Sequence, residues 1–350
     1  MAVIRTKDKR LIYDLDLPEL QRQLSEWGEP VYRATQVWNG IYRNFWHRPE
    51  EFTNLPARLI EKLIQNFSYN ALTPAKSISS KDGETIKTLF TLVNNLSIES
   101  VLMTYSSRRT LCISTQVGCA MGCSFCATGQ MGFRQNLSSG EIIEQVIYYA
   151  RALASASQVV SNIVVMGMGE PLHNYTATFK AIDRLNHPDG FNLGARRFTV
   201  STVGLVPAIR RLASEKRQIN LAVSLHAADD DLRSTMLPVN KKYPLDVLFD
   251  ACREYVDKTH RRITFEWALI HGINDGLDQA RLLAKRAHGL LCHVNMIPLN
   301  PTHGYAGSPS ARDRVFAFKK ELENLGIPCT IRLRRGIEIQ AGCGQLATGA

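Results

Sequence analysis

No stretch of the 350 residues stays apolar over a membrane-spanning length, so no transmembrane helix and no membrane partner is expected. The run from Met1 to Leu20 scatters charges where an export signal would hold an uninterrupted apolar core and a small-residue cleavage site. Nothing there marks the chain for secretion, and a cytoplasmic location is expected. Internal repeats and low-complexity segments are missing as well. Acid is in short supply: 32 Asp and Glu face 42 Lys and Arg, a net charge of +10 spread along the chain. That excess favours an anionic partner, nucleic acid first, although an ordinary basic protein also satisfies charge alone. In a cytosolic chain of this size, eight cysteines argue for metal or catalysis rather than a disulfide scaffold.

The length accommodates one large domain and a smaller module. Between about 16 and 66, apolar residues recur with helical spacing (Leu17, Leu20 and Leu24, then Leu55, Leu59 and Leu63), which predicts a small helical module. Extended segments follow from 69 to 105, where 88–93 and 98–103 flank an Asn94-Asn95 turn and predict a short β-hairpin. From Thr110 onward, β-rich runs at 111–115, 162–166, 197–203, 220–225, 263–269 and 293–297 alternate with helical stretches such as 139–156, 244–259 and 310–325. Strand, helix, strand repetition implies right-handed crossovers and a parallel sheet. The expected fold is therefore α/β: a partial (β/α)6 TIM-type barrel over 110–350, a helical accessory domain over 1–68 and a β-hairpin linker over 69–109. A doubly wound open sheet satisfies the same periodicity.

Three cysteines stand together in Cys119-Ala-Met-Gly-Cys123-Ser-Phe-Cys126, just past the first predicted barrel strand, where ligands of such barrels collect. Three thiolates so close in sequence can hold three corners of one four-iron cluster and leave the fourth iron open. That open iron suits the amino and carboxylate groups of S-adenosylmethionine (SAM). Phe125, between the last two cysteines, is placed to shield a cluster from water. The bland alternative is a zinc site completed by a histidine or a fourth cysteine, although zinc ligands more often come as two separated pairs. After the next strand, Met166-Gly-Met-Gly-Glu170-Pro171 supplies a Gly-rich turn and a carboxylate suited to a cation. By itself it would be only a turn.

The flanking residues narrow the reading. Thr110-Leu-Cys-Ile-Ser-Thr-Gln-Val-Gly-Cys-Ala, Cys126-Ala-Thr-Gly and the C-terminal Ala341-Gly-Cys-Gly-Gln-Leu resemble the RlmN family of radical SAM RNA methyltransferases, whose close relative is Cfr. The resemblance extends from the N-terminal module almost to the last residue. It implies a [4Fe-4S] cluster on Cys119, Cys123 and Cys126, and SAM, two molecules per turnover. It also implies SAM contacts from Gly169, Glu170, Ser201, Ser224, Leu225, His226 and Asn300. Carbon 2 of adenine is no nucleophile, so the family first loads a methyl group onto a cysteine, which resembles Cys343 here, and activates it with a 5′-deoxyadenosyl radical. A covalent protein-RNA adduct follows; Glu99 matches the proton acceptor, and Cys112 matches the thiol that attacks Cys343, releasing the base and leaving a disulfide. The implied substrates are 23S rRNA, at an adenine near the peptidyl-transferase centre, and some tRNAs, at the adenine 3′ of the anticodon. The implied partners are an electron donor such as flavodoxin or ferredoxin, and the chain is expected to act as a monomer.

Each assignment has a plainer reading beside it. Cys112 fits a buried strand residue, Glu99 an exposed hairpin acid and His226 a structural histidine; Cys252, Cys292 and Cys329 read as core. In the N-terminal module, Trp38 and Tyr42 have core spacing, whereas Arg33, Arg43 and Arg48 are candidates for phosphate, with Phe45 and Trp46 nearby. Arg332, Arg334 and Arg335 precede Cys343 closely enough to position RNA. The chain stops seven residues past Cys343, short of the basic tail many relatives carry, so contacts made by such a tail must be absent or replaced. Rival functions are a Cfr-like methylation of adenine carbon 8, a non-catalytic zinc-binding RNA protein and a glycyl-radical activase. The run Leu237-Pro-Val-Asn-Lys-Lys-Tyr looks closer to RlmN than to Cfr.

Overall fold

The computed structural model describes residues 9–332 and 334–347. The first eight residues, on which part of the export reading rests, and the last three lie outside that range.

Helices Leu17–Glu26, Val31–Tyr42 and Ala57–Asn66 form the N-terminal module. The first is set by a capping box: the Asp16 carboxylate accepts the Glu19 amide at 2.7 Å, while Glu19 accepts the Asp16 amide at 2.9 Å. Leu20, Leu24, Leu59 and Leu63 are buried, and Trp38 and Tyr42 pack in the core with ring centroids 4.4 Å apart. Of the module's cations, Arg43 and Arg48 are exposed and Arg33 is half-buried.

A single ten-stranded sheet follows, with its strands in chain order: β1 (Leu72–Ser79), β2 (Thr85–Leu92), β3 (Ser97–Thr104), β4 (Arg109–Cys112), β5 (Asn162–Val165), β6 (Phe198–Thr202), β7 (Asn220–Ser224), β8 (Ile263–Leu269), β9 (Cys292–Pro298) and β10 (Cys329–Ile331). The strands β1 to β4 pair antiparallel and β4 to β10 pair parallel, an open and therefore partial barrel. Helices such as Ser139–Ala154, Leu245–Thr259 and Arg312–Asn324 connect the strands. Among the described residues no helix is long and apolar enough to cross a membrane.

Three details differ from expectation. The hairpin β2-β3 turns at Asn94-Asn95 as read, with Asn95 in the left-handed region at φ 65°. It is preceded by β1, an edge strand whose mostly exposed side chains and Pro74 bulge hide it from a periodicity search. Pairing of Val101 with Cys112 then makes the hairpin continuous with the barrel sheet. A seventh parallel strand, β10, is only three residues long. Finally, β4 ends at Cys112 rather than Thr115, because Thr115 N–H donates to Met168 O at 2.9 Å and Ser114 Oγ accepts the Met168 amide at 2.8 Å. The backbone leaves the sheet there to hold the Gly-rich loop after β5.

Glu144, inside helix Ser139–Ala154, joins the module's exit to the barrel by accepting the Ala71 and Leu72 amides at 2.8 and 3.2 Å. Burial pushes its pKa from 4.5 to about 8, with the two amides opposing that rise. The folded chain thus holds this proton more tightly than the unfolded chain. Its contribution to stability is complete below pH 4.5 and is lost as pH rises through about 8. Glu144→Gln is expected to flatten the fall in melting temperature between pH 6 and 9; a scan with an unchanged slope would refute this.

Candidate active site

The loop after β4 is clamped at its base by a ribbon in which Gln116–Gly118 pairs antiparallel with Phe133–Asn136. Gly118 has φ +70°, and a Cβ there would lie 1.8 Å from Gly132 O, so only glycine closes this clamp. The loop brings Cys119, Cys123 and Cys126 to one cavity. Burial pushes the Cys119 thiol up to about 12, and the Glu170 and Cys126 charges add to the shift. Burial raises the Cys123 thiol well above its ordinary value, Cys126, Cys119 and Glu170 add to the rise, and Arg233 opposes it. Three thiols all held above their ordinary range by burial fit a cationic metal core that would deprotonate all three. Among the described residues no three metal-binding side chains converge as a single ion requires. A four-iron cluster takes each thiolate on a different iron, so its ligands stand apart.

Opposite the cysteines, the cavity is walled by strand ends: Gly169 and Glu170 after β5, Ser201 on β6, Ser224 on β7, His226 after it and Asn300 after β9. Glu170 accepts the Leu172 amide at 3.0 Å and the Val203 amide at 2.9 Å, yet burial still drives its pKa to about 7. A buried carboxylate without a cation fits a ligand carrying an amine. His226, strained at φ 61°, accepts the Ala268 amide on Nδ1 at 2.9 Å. That bond leaves the hydrogen on Nε2, and burial, aided by Arg233, lowers the pKa to about 3, so the ring is neutral. The Phe125 ring meets His226 edge-on at 4.9 Å. Asn300 donates to Cys343 O at 3.0 Å, while its buried Oδ1 has no partner and stands on the cavity wall. That orphaned acceptor fits a donor from a bound ligand.

Leu225 stands apart from this set. Its side chain is in the core, its N–H donates to Glu266 O and its carbonyl accepts Arg233 Nε. Arg233, fully buried on helix Asp230–Met236, also donates to Val203 O at 2.7 Å and Ser224 O at 3.1 Å, tying the ends of β6 and β7 together. Glu266, an acid on β8 held by Asn295 Nδ2 at 2.8 Å, lines the same cavity. The sequence reading missed both.

The C-terminal loop docks on the cysteine loop. Ala127 N–H donates to Gly344 O at 2.8 Å, Thr128 Oγ1 to Leu346 O at 2.6 Å, and Gln345 braces the loop from within. Cys343 therefore faces the main cavity and, together with Cys112 and Arg332, a second cavity that opens from it. Both thiols are free. Cys112 is buried, which pushes its thiol to about 12; Cys343 is exposed at the cavity mouth, yet the surrounding protein still raises its thiol, and Arg332 opposes the rise in each. Glu99 is buried, with Lys87 Nζ on one oxygen and the Ala347 amide on the other, each at 3.0 Å. It lies behind the C-terminal segment.

Residues 113–283 match the sequence profile of the Radical SAM superfamily, and residues 11–68 that of the ribosomal RNA large subunit methyltransferase N-terminal domain. A protein of Chloroflexus aurantiacus named probable dual-specificity RNA methyltransferase RlmN is 47% identical, with 97% of this chain and 93% of the relative covered. The dual-specificity RNA methyltransferase RlmN 1 of Myxococcus xanthus is 48% identical over 96% and 93% of the two chains. The crystal structure of a radical SAM methyltransferase from Sphaerobacter thermophilus superposes with a TM-score of 0.95 at 49% identity, covering 97% of this chain and all of that one.

Proposed function

The chain belongs to the RlmN family of radical SAM RNA methyltransferases, with a [4Fe-4S] cluster and SAM as cofactors, and from that premise we infer that it methylates carbon 2 of adenines in 23S rRNA and tRNA. The observation that carries this reading is the placement of Cys112 and Cys343 on one cavity beside the cysteine triplet. Cys119, Cys123 and Cys126 would hold the cluster, and Gly169, Glu170, Ser201, Ser224, His226 and Asn300 would line the SAM site. When bound, cluster and SAM supply a methyl group and, on one-electron reduction by a donor such as flavodoxin or ferredoxin, a 5′-deoxyadenosyl radical; two SAM are used per turnover.

Cys343 accepts the first methyl group. Its thiol must lose a proton, and Arg332 is the cation that favours the thiolate. Once that methyl carbon is joined to the base, Cys112 as thiolate attacks the Cys343 sulphur, and the bond from sulphur to the methylene carbon breaks. Its electron pair goes to the carbon and base and takes up a proton to leave the methyl group; a disulfide forms, and the reductant must restore both thiols. For Glu99 to take the proton from carbon 2, its Oε2 has to exchange the Ala347 amide for the base, while Lys87 stays on Oε1.

An anaerobic assay with labelled SAM, a reductant and unmodified rRNA and tRNA fragments tests this. Nucleoside analysis is expected to give 2-methyladenosine with 5′-deoxyadenosine as co-product. Label at carbon 8 would move the chain to Cfr-like chemistry. Reconstituted protein that holds only zinc and forms no 5′-deoxyadenosine would end the proposal.

A further inference from the structure

TIM-type barrels fill their interior with layers of Val, Ile and Leu. In the lower half of this barrel the inward positions are polar instead: Thr110, Asn162, Thr199, Thr264, Asn295 and Thr330 line an open space of about 940 Å³ at the amino ends of the strands. Their apolar neighbours Val200, Phe265 and Val294 are fully buried. The strands alternate as though their inner face met water.

The rim of this space is basic. Arg108, Arg261 and Arg262 stand at the opening, with Arg332 and Arg335 further in, and Glu266 is the one acid among the described lining residues. Arg108 and Arg262 are exposed, Arg261 is half-buried and donates to Asn220 Oδ1, and none of the three forms an ion pair among the described residues. Tyr105, on the same turn as Arg108, lies between two arginines, with Arg108 4.3 Å and Arg335 4.4 Å from its ring centroid. Val164, Met166 and Arg332 line both this space and the cavity of Cys112 and Cys343. The two spaces therefore adjoin along that wall.

Unpaired guanidiniums suit phosphates, amide and hydroxyl side chains suit base edges, and an aromatic ring between arginines suits an unstacked base. We propose that single-stranded RNA enters through the amino-terminal mouth of the barrel, its phosphates held by Arg108, Arg261 and Arg262, while the target base passes up the polar lumen towards Cys343. This rests on the RNA-methylating reading above. The entry lies at the end of the barrel opposite the cysteine loop, so the base and SAM approach Cys343 from different sides.

The test compares two double charge reversals in full-length, cluster-loaded protein. Arg108→Glu/Arg262→Glu alters the mouth, whereas Lys285→Glu/Lys320→Glu makes the same charge change at exposed positions on the outer helices. Binding of an unmodified RNA stem-loop with an unpaired adenine is measured over a salt series. The mouth variant is expected to bind at least about 30-fold more weakly and to lose about two from its log-log salt slope, while the outer variant stays within about threefold of the parent. Equal losses in both, or none in either, would overturn the proposal. Thr199→Phe narrows the lumen without touching the rim. It is expected to keep RNA affinity within about threefold and to lower methylated-RNA yield at least about tenfold. An unchanged yield rules out the passage. A parent protein whose binding depends on the mouth arginines but which forms no methyladenosine would support this site and refute the proposed reaction.

Discussion

Cys123→Ala protein is expected to take up no [4Fe-4S] cluster on anaerobic reconstitution, to cleave no SAM and to methylate RNA only at background. Cys123 is buried, and burial with the neighbouring Cys126, Cys119 and Glu170 charges raises its thiol well above the ordinary value, so a thiolate there calls for a metal. Removing it leaves Cys119 and Cys126, two ligands where a cluster open at one iron needs three. The fold should survive, because the loop is also held by Gln116–Gly118 against Phe133–Asn136, by Ser124 N–H to Met236 O and by Ala127 N–H to Gly344 O. Metal-free parent and metal-free variant should therefore melt within a few degrees of each other, roughly the shift that 1 kcal/mol produces in a chain this large. Iron and sulphide content, the broad visible absorption of the cluster and 5′-deoxyadenosine formation read the outcome. A variant with full iron content and undiminished SAM cleavage would remove the triplet from the chemistry.

The barrel was legible because its strands are apolar on one face and each is followed by a helical stretch. Five of the six predicted strands match the observed ones to within about a residue at either end, as Asn162–Val165 and Ile263–Leu269 illustrate. What escaped is what periodicity cannot carry. Leu72–Ser79 is an edge strand with little to bury, and Cys329–Ile331 is too short for any period to register. The same limit applies to the site. Cysteine spacing and the Gly-Glu-Pro turn are local in sequence and could be read directly, whereas Arg233 works through carbonyls at the ends of two strands, Val203 O and Ser224 O, which only the fold brings together. Glu266 did leave a signal, a lone acid inside the apolar run 263–269, and a charge in such a run must face either a partner or a cavity. The polar inner face of the barrel was likewise written in Phe198-Thr-Val-Ser-Thr. An alternating pattern in a parallel strand says that one face is not packed.

Cys343→Ala and Cys112→Ala are expected to stop the reaction at different points, and the difference carries more information than either loss. Without Cys343 there is no sulphur to receive the methyl group, so neither methylated RNA nor a protein-RNA adduct forms. Without Cys112 the methyl carrier still loads and couples to RNA, but no thiol remains to attack the Cys343 sulphur, and the protein accumulates bound covalently to its substrate. Turnover in each variant should fall by about three decades or more, upward of about 4 kcal/mol in the barrier to the blocked step. Gel mobility under denaturing conditions, with and without ribonuclease, separates the two: a ribonuclease-sensitive shift for Cys112→Ala and none for Cys343→Ala or the double variant. Cys252→Ala is the control for lost packing, since Cys252 is also buried but lies on helix Leu245–Thr259. It should lower the melting temperature without slowing methyl transfer. If Cys343→Ala turned over at the parent rate, the pairing of two thiols across one cavity would be incidental, and the chain would be a radical SAM enzyme that acts on its substrate without a protein-bound methyl group.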